Sequence, residues 1–155
     1  MTRYSKFINV ATEGAAIKQP PFWIMLAREG ETTDGRHISA ETLIALAESY
    51  SPGFYCAPIR KSHFHRLPAD SLGEIIDATT ELNDDAACLY VLIQPNEKWF
   101  SVLTEPEQET VPIYPAMEYM ECMAVIDAPY IKGMALTTEP AIKNLEPLNK
   151  YMVKA

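Results

Sequence analysis

The amino-acid sequence has little of three features that assign a chain to a class: cysteine, long apolar runs and positive charge. Its 155 residues include only 3 cysteines: Cys56, Cys88 and Cys122. Their number and spacing fit neither a disulfide framework nor a zinc site, and predict buried free thiols in a reducing compartment. The longest apolar run, residues 22–27, is far shorter than the roughly 20 residues of a membrane span, and no secretory signal is recognisable at the N-terminus.

Positive charge is also scarce, since 13 basic residues face 21 acidic ones and the formal net charge is −8. An acidic surface gains nothing from releasing counterions on a phosphate backbone. We therefore expect no nucleic acid among the partners of this protein, and the lack of a long apolar run leads us to expect no membrane.

What the sequence does contain is the composition of one globular domain, with 48% hydrophobic and 22% charged residues. Short apolar or alternating segments predict about seven strands, without the regular alternation of strands and helices that parallel sheets need. They lie at 6–10, 54–59, 72–80, 88–93, 111–114, 117–126 and 130–137, and the third and fourth form a hairpin across a turn at 83–85. The predicted fold class is strand-dominated α+β, an antiparallel β-barrel-like core with peripheral helices.

One helix is clearly indicated. Ser39 is placed to cap its N-terminus, Glu41 lies in its first turn, and Ser51-Pro52-Gly53 ends it. Residues at i, i+3, i+4 and i+7 predict a single apolar face made of Ala40, Leu43, Ile44 and Ala47. A second, short helix is predicted over residues 96–103, with Trp99 on its apolar side.

The sequence makes one prediction about a segment near the N-terminus and one about the C-terminal boundary of the domain. Residues 15–30 stand between the similar joints Glu13-Gly14 and Glu29-Gly30, which suggests a local insertion. The alternative is that the apolar run inside them is an ordinary strand of the sheet. The chain from Ile142 onward is polar and is expected to leave the domain, which we place at residues 1–145 with a tail at 146–155.

The histidines are the first candidates for chemistry. His63 and His65 are two apart, which in a strand places both side chains on one face, as metal ligands require. No cysteine or acidic residue follows at ligand spacing, which favours a solvated basic loop. Histidine is also the usual general base, and Asp34 could orient it, although an aspartate in an Asp-Gly turn often bonds its own backbone. No nucleophile elbow, phosphate-binding loop or dinucleotide motif occurs.

Several short blocks of the sequence nevertheless follow one another in an order that is found in a known family. They are Ser5-Lys6-Phe7, Thr33-Asp34-Gly35-Arg36 with Ile38-Ser39-Ala40, the segment 50–55, His63, Leu72-Gly73-Glu74, Tyr114-Pro115-Ala116-Met117-Glu118, and the segment 133–141 with its Ala-Leu-Thr and Pro-Ala pairs. In this order they resemble the tailed-phage capsid scaffolding serine peptidases, the GPO family, over residues 5–150 except 15–30. By looser analogy the fold would be that of the herpesvirus assemblins.

The resemblance implies a catalytic triad in which Asp34 is the acid, His63 the base and position 116 the nucleophile. The family has a serine there, in a Tyr-x-Ser-Met-Glu setting, whereas this chain has Ala116. Alanine has no Oγ and forms no acyl-enzyme, so we expect this domain to be inactive as written. An engineered Ser→Ala change and a natural pseudopeptidase both remain open. Arg60 and Arg66 are the nearest basic candidates for stabilising an oxyanion.

The resemblance also implies the protein's setting. Members join an N-terminal peptidase to a scaffold that directs major capsid protein into a procapsid, and the peptidase then cuts scaffold and capsid components. The expected partners are major capsid protein and scaffold peptides, with homo-oligomers an open question and no cofactor or metal. The expected location is the host cytoplasm, inside the procapsid, with the tail leading to an absent scaffold region. The alternative is a non-catalytic module that binds an extended peptide or capsid protein as an added strand.

Overall fold

Strands make up most of the computed structural model, which describes residues 20–63, 70–99 and 112–148. The predicted strand at 6–10 lies outside these ranges. In chain order the elements are β1 (Phe22–Arg28), β2 (Gly30–Glu31), β3 (His37–Ile38), α1 (Ala40–Ser49), β4 (Pro58–Arg60), β5 (Ser71–Asn83), β6 (Ala86–Pro95), β7 (Tyr114–Met123) and β8 (Ala128–Thr137).

Six of these strands form one curled sheet in the order β1-β6-β5-β4-β8-β7. Neighbouring strands are antiparallel except β4 and β8, which run parallel with Ile59 opposite Met134. Irregular pairing interrupts β1, β5 and β7, and such bulges increase the local twist of a strand. The sheet curls into a half-barrel whose outer strands, β1 and β7, approach each other. The predicted fold class is therefore confirmed.

The predicted hairpin is also confirmed, and its strands are longer than expected. β5 and β6 pair antiparallel from Gly73 opposite Pro95 to Asn83 opposite Ala86. Asp84 and Asp85 form the turn with φ of 52° and 63°, the positive values that tight two-residue hairpin turns require. Aspartate is among the few non-glycine residues that adopt this conformation readily.

Helix α1 begins as the sequence predicts. The Ser39 hydroxyl accepts a hydrogen bond from the Thr42 backbone N–H at 3.1 Å, which confirms the N-cap. The predicted apolar face is partly wrong, because Leu43 and Leu46 are fully buried whereas Ile44 is 40% exposed. α1 packs on β5, β6 and β8 along a stripe through Leu43 and Leu46, and Ile44, about 100° further round the helix, points away from it.

The predicted strand over 54–59 is wrong for residues 54–57, since β4 comprises only Pro58–Arg60. The preceding loop wraps around the buried Tyr130, whose hydroxyl lies 2.7 Å from Ser51 O and 2.8 Å from Tyr55 O and accepts from Ser51 N–H at 2.9 Å. Backbone groups of Ser51 and Tyr55 therefore bond to a side chain, and a backbone bond to a neighbouring strand is made at Ala57, whose O accepts from the Ile75 N–H of β5 at 2.9 Å.

Pro115 does not end a strand, contrary to the sequence-based expectation, but lies within β7. A proline is tolerated there because β7 is the outermost strand and has a ladder partner on one side within the described sheet. The break falls later, at a turn over 124–127, so that the strand predicted to reach Ile126 ends at Met123.

The apolar run within residues 15–30 is an ordinary strand, the second of the two alternatives. β1 pairs antiparallel with β6, and three of its side chains, Ile24, Leu26 and Ala27, are buried. Whether the surrounding segment 15–30 is an insertion stays a prediction.

The expectation that the chain leaves the domain from Ile142 is wrong. Ile142 and Leu148 both belong to the hydrophobic core, and the Leu148 N–H donates to Ile113 O at 2.6 Å. Although the segment is polar on average, its apolar side chains pack against the sheet. The packed domain therefore extends at least to Leu148, beyond the boundary predicted at residue 145.

The start of the second predicted helix packs into the hydrophobic core through Trp99. Residues 97–99 are helical, and the rest of the range 96–103 lies outside the described residues. Trp99 is fully buried, and its ring lies edge-on to Phe22 with the centroids 5.8 Å apart. Among the described residues, no helix is long and apolar enough to cross a membrane.

All three cysteines are free. Cys88, on β6 between β1 and β5, is buried as predicted, whereas Cys56 is half-buried and Cys122 is exposed. The prediction of a buried thiol is wrong for Cys122, because it lies near the end of the outer strand β7.

Candidate active site

The candidate site is built on three adjacent strands, β7, β8 and β4. Ala116 and Glu118 are two apart on β7 and so project from the same face of the sheet. β8 places Ala135 opposite Ala116 and Gly133 opposite Glu118, and Arg60 of β4 lies on the other side of Ala135. The small residues of β8 leave room for longer side chains of its neighbours to meet above them.

The Glu118 side chain uses this room to reach two basic groups. One carboxylate oxygen, Oε1, accepts from Arg60 Nη1 at 3.3 Å, and the other, Oε2, is bonded to Nδ1 of His63. The side chains of Glu118 and Arg60 are only 12% and 15% exposed, whereas that of His63 is 50% exposed. The carboxylate thus connects a partly buried guanidinium to a solvent-accessible imidazole.

His63 and Ala116 line the same cleft, which has a volume of about 140 Å³. Two of the three site residues predicted from the resemblance therefore line a common cleft, although they are 53 positions apart in the chain. The other described residues that line the cleft are Thr32, Arg36, Ile38, Pro115, Met117, Tyr119, Ala141 and Ile142.

Asp34, the third predicted residue, lies in the turn between β2 and β3. Its carboxylate accepts from the Thr32 hydroxyl and, at 3.1 Å, from Arg36 Nε. These two donors, the Thr32 hydroxyl before the Arg36 guanidinium, hold the pKa of Asp34 below its usual value of 3.8. Asp34 thus contacts two residues of the cleft wall and is not itself among the described residues that line the cleft.

The turn carrying Asp34 is fixed to the rest of the site. Thr32 is buried, and its backbone N–H donates to Arg36 O at 2.8 Å, which closes the turn. The Thr33 N–H donates to Ala141 O at 2.7 Å and joins the turn to the segment after β8. Chemically, the cleft offers the exposed imidazole of His63 and the methyl group of Ala116, and the carboxylate of Glu118 joins that imidazole to the Arg60 guanidinium.

Comparison with known proteins identifies the family. The family described as "GPO serine peptidase, N-terminal domain" matches residues 22–151, which is most of the chain. This chain belongs to the GPO serine peptidase family. The match begins at residue 22, so that β1, the Asp34 turn, His63 and β7 all lie inside it.

One curated relative of this GPO-family domain is the "Capsid assembly scaffolding protein" of Escherichia phage P2, which is 28% identical over 130 residues. The aligned region covers 77% of this chain and 44% of the relative. The chain therefore spans less than half the length of the curated relative that it matches. No solved structure gives a significant match, so the assemblin analogy stays an expectation.

Sequence reasoning missed one part of this candidate site, the Glu118 carboxylate. Glu118 follows Ala116 in the Tyr-Pro-Ala-Met-Glu block and so belonged to the resemblance, but nothing in the sequence indicated its contact with His63. Arg60, expected as an oxyanion candidate, donates to Glu118 instead. Arg66 and His65 lie outside the described residues, and the described residues contain no group of three or more metal-ligating side chains.

Proposed function

We propose that this domain is the peptidase part of a phage capsid scaffolding protein. Its cleft is built to cut scaffold and capsid proteins during procapsid maturation, and the chain with Ala116 does not cut. The family match and the name of the phage P2 relative support the scaffolding setting. The observation that carries the proposal is that His63 and position 116 line one cleft, as a base and its nucleophile must.

With a serine at position 116, His63 would take the proton of the hydroxyl as Oγ attacks a peptide carbonyl. The tetrahedral intermediate then expels the amine, to which His63 returns the proton, and water releases the acyl group by the same steps in reverse roles. The resemblance gives Asp34 the part of the acid. Its contacts support a role in fixing Thr32 and Arg36 in the cleft wall.

The test is restoration of the nucleophile. The A116S variant is expected to react with a fluorophosphonate probe at position 116, detected as one added label by intact mass and located by peptide mapping. The chain as written is the first control, because its other serines should stay unlabelled. A116S combined with H63A is the second, because without the base the labelling should fall by about 100-fold or more. A folded A116S protein that takes no label would contradict the proposal.

A second candidate function is non-catalytic binding of an extended peptide. It is favoured by the position of β7, which lies at the outer end of the described sheet beside the cleft. An outer strand can add a peptide as a further strand. The chain as written should then bind purified major capsid protein of its phage, with NMR shift changes centred on residues 114–120. Changes centred elsewhere would count against this function.

A further inference from the structure

A second cavity adjoins the cleft and is left unused by the proposed function. It has a volume of about 420 Å³, against about 140 Å³ for the cleft, and lies between β3, α1, β7 and the start of β8. Ile38 and Tyr119 line both spaces, so a peptide chain seated in the cleft can continue past these two side chains into the second cavity.

The wall of this second cavity is acidic. It includes Glu41 of α1 and Glu121 of β7, which are both exposed, and neither forms a salt bridge with a described residue. Among the described residues that line the cavity, only His37 could carry a positive charge. Even a protonated His37 would leave the wall with a net negative charge. We call this space the acidic cavity.

We propose that the acidic cavity is a substrate subsite, which takes a lysine or arginine side chain of an extended peptide bound in the cleft. Glu41 and Glu121 are its specificity-determining residues. The inference rests on the proposed function, since it names the side chain that the same site selects in its substrate.

The two carboxylates come from different elements, and local structure accounts for only one of them. Glu41 lies in the first turn of α1, where the helix dipole favours a negative charge. Glu121 has no such support, and two carboxylates on one cavity wall repel each other unless a cation lies between them. A metal ion does not fit, because the described residues contain no group of three or more metal-ligating side chains.

Strand geometry sets how far the acidic cavity lies from the reacting position. Position 116 and Glu121 are five residues apart on β7, which corresponds to about 16 Å at ~3.3 Å per residue. An extended peptide running along β7 covers that distance with four to five of its own residues. The basic side chain is therefore expected four or five residues from the scissile bond, with its aliphatic stem against Ile38 and Tyr119.

The first experiment reads the preference from cleavage by A116S. The substrate library is a bacterial proteome digested by a protease that cuts after glutamate, which leaves lysine and arginine inside the peptides, and the cut sites are identified by mass spectrometry. Lysine and arginine should be enriched about 3- to 10-fold over the library at one position four or five residues from the cut, as expected for one or two partly exposed ion pairs. Cut sites without this enrichment would overturn the inference.

Variants in the A116S background assign the preference to the two carboxylates. E41Q combined with E121Q should abolish the enrichment, and E121K should shift the preference at that position to aspartate. E48Q combined with E81Q is the matched control, because it removes the same charge from exposed residues of α1 and β5 that do not line the cavity. If the E41Q/E121Q protein fails to fold, E121Q alone replaces it and leaves α1 intact. Enrichment that survives these variants, or that is lost equally in the control, would refute the subsite.

The second experiment measures binding by the chain as written. Two alanine–serine peptides of about ten residues are compared, one with a central arginine and the other with citrulline, which has a similar shape and no charge. In NMR titrations the arginine peptide should shift amides of residues 37–45 and 119–121 and bind about 3- to 10-fold more tightly. The difference should disappear in E41Q/E121Q and shrink at high salt. Equal binding of the two peptides would count against the inference.

The two experiments separate this inference from the function on which it rests. If A116S cuts peptides without a preference for a basic residue, the function stands and the subsite is refuted. If A116S cuts nothing while the arginine peptide binds through Glu41 and Glu121, the peptidase function fails and the acidic cavity stands as a site for basic peptides.

Discussion

At the scale of single residues, the site depends on the absence of a side chain at Gly133 and on the carboxylate of Asp34. Gly133 has an ordinary backbone conformation, so what it contributes is space, and the carboxylate of Glu118 fills that space. Asp34 is exposed, yet it has two hydrogen-bond donors that favour its charged form. Both features make predictions that do not require a restored nucleophile.

Gly133→Ala should destabilise the domain and disturb the contacts of Glu118 with Arg60 and His63. The new Cβ would lie 2.8 Å from Glu118 Oε1 and 3.1 Å from Pro58 O, so a side chain and a strand would both have to shift, at a cost of about 1–3 kcal/mol. Urea denaturation measures the loss. Gly53→Ala is the matched control, because nothing lies within 4 Å of a Cβ there. Equal stability of the two variants would contradict this account.

Asp34 should make stability depend on acid pH. Because the pKa of Asp34 is lowered in the folded state from 3.8, folding favours the ionised form. The contribution is therefore present above about pH 4 and is lost as pH falls through the lowered folded pKa. The difference in free energy of unfolding between the unsubstituted chain and D34N should be constant from pH 5 to 7 and shrink below pH 4. A difference that does not change with pH would be inconsistent with this.

At the scale of elements, local signals predicted those structures whose hydrogen bonds are local. Ser39 caps α1, and Asp84-Asp85 turns the hairpin, because each needs only groups a few residues away. The loop before β4 was missed because its backbone bonds to Tyr130, some 75 to 79 residues further on. Pro115 was misjudged because its cost depends on whether β7 is an outer or a central strand.

Tyr130→Phe tests the loop before β4. It removes the hydroxyl that accepts from Ser51 N–H and leaves that donor without its bond, at a cost of about 1–3 kcal/mol. Thermal or urea denaturation should show the loss, together with faster amide exchange at residues 51–55. Tyr55→Phe is the control, because Tyr55 is 40% exposed and the bond from its hydroxyl to Lys132 O is long, at 3.3 Å. A Tyr130→Phe variant as stable as this control would contradict the account.

At the scale of the whole molecule, the domain depends on distant segments that complete the half-barrel. β1 provides an outer strand, and the segment ending at Leu148 covers part of the core. From the sequence, the first lies in a segment that could be an insertion or an ordinary strand, and the second overlaps a predicted polar tail.

Removing residues 15–30 should therefore abolish folding. The deletion takes away β1 with Ile24 and Leu26, each of which contributes about 2–5 kcal/mol when buried, and most domains have only about 5–15 kcal/mol in total. Circular dichroism and amide dispersion in NMR would detect the loss. A chain that starts at residue 20 is the control and should fold, because the family match begins at residue 22. A folded deletion variant would support the insertion predicted from the sequence.

By itself, the sequence determined the strand-dominated class, the cap of α1, the hairpin and, through blocks around Asp34, His63 and position 116, the family. The class, the cap and the hairpin follow from residue type and short-range spacing, whereas the family follows from the resemblance of these blocks to those of known proteins. Only the tertiary structure decided that Glu118 meets His63, 55 positions away, and that Asp34 contacts the cleft wall. Such contacts depend on the order and register of β4, β8 and β7, which arise from burial of the whole core and have no local signature.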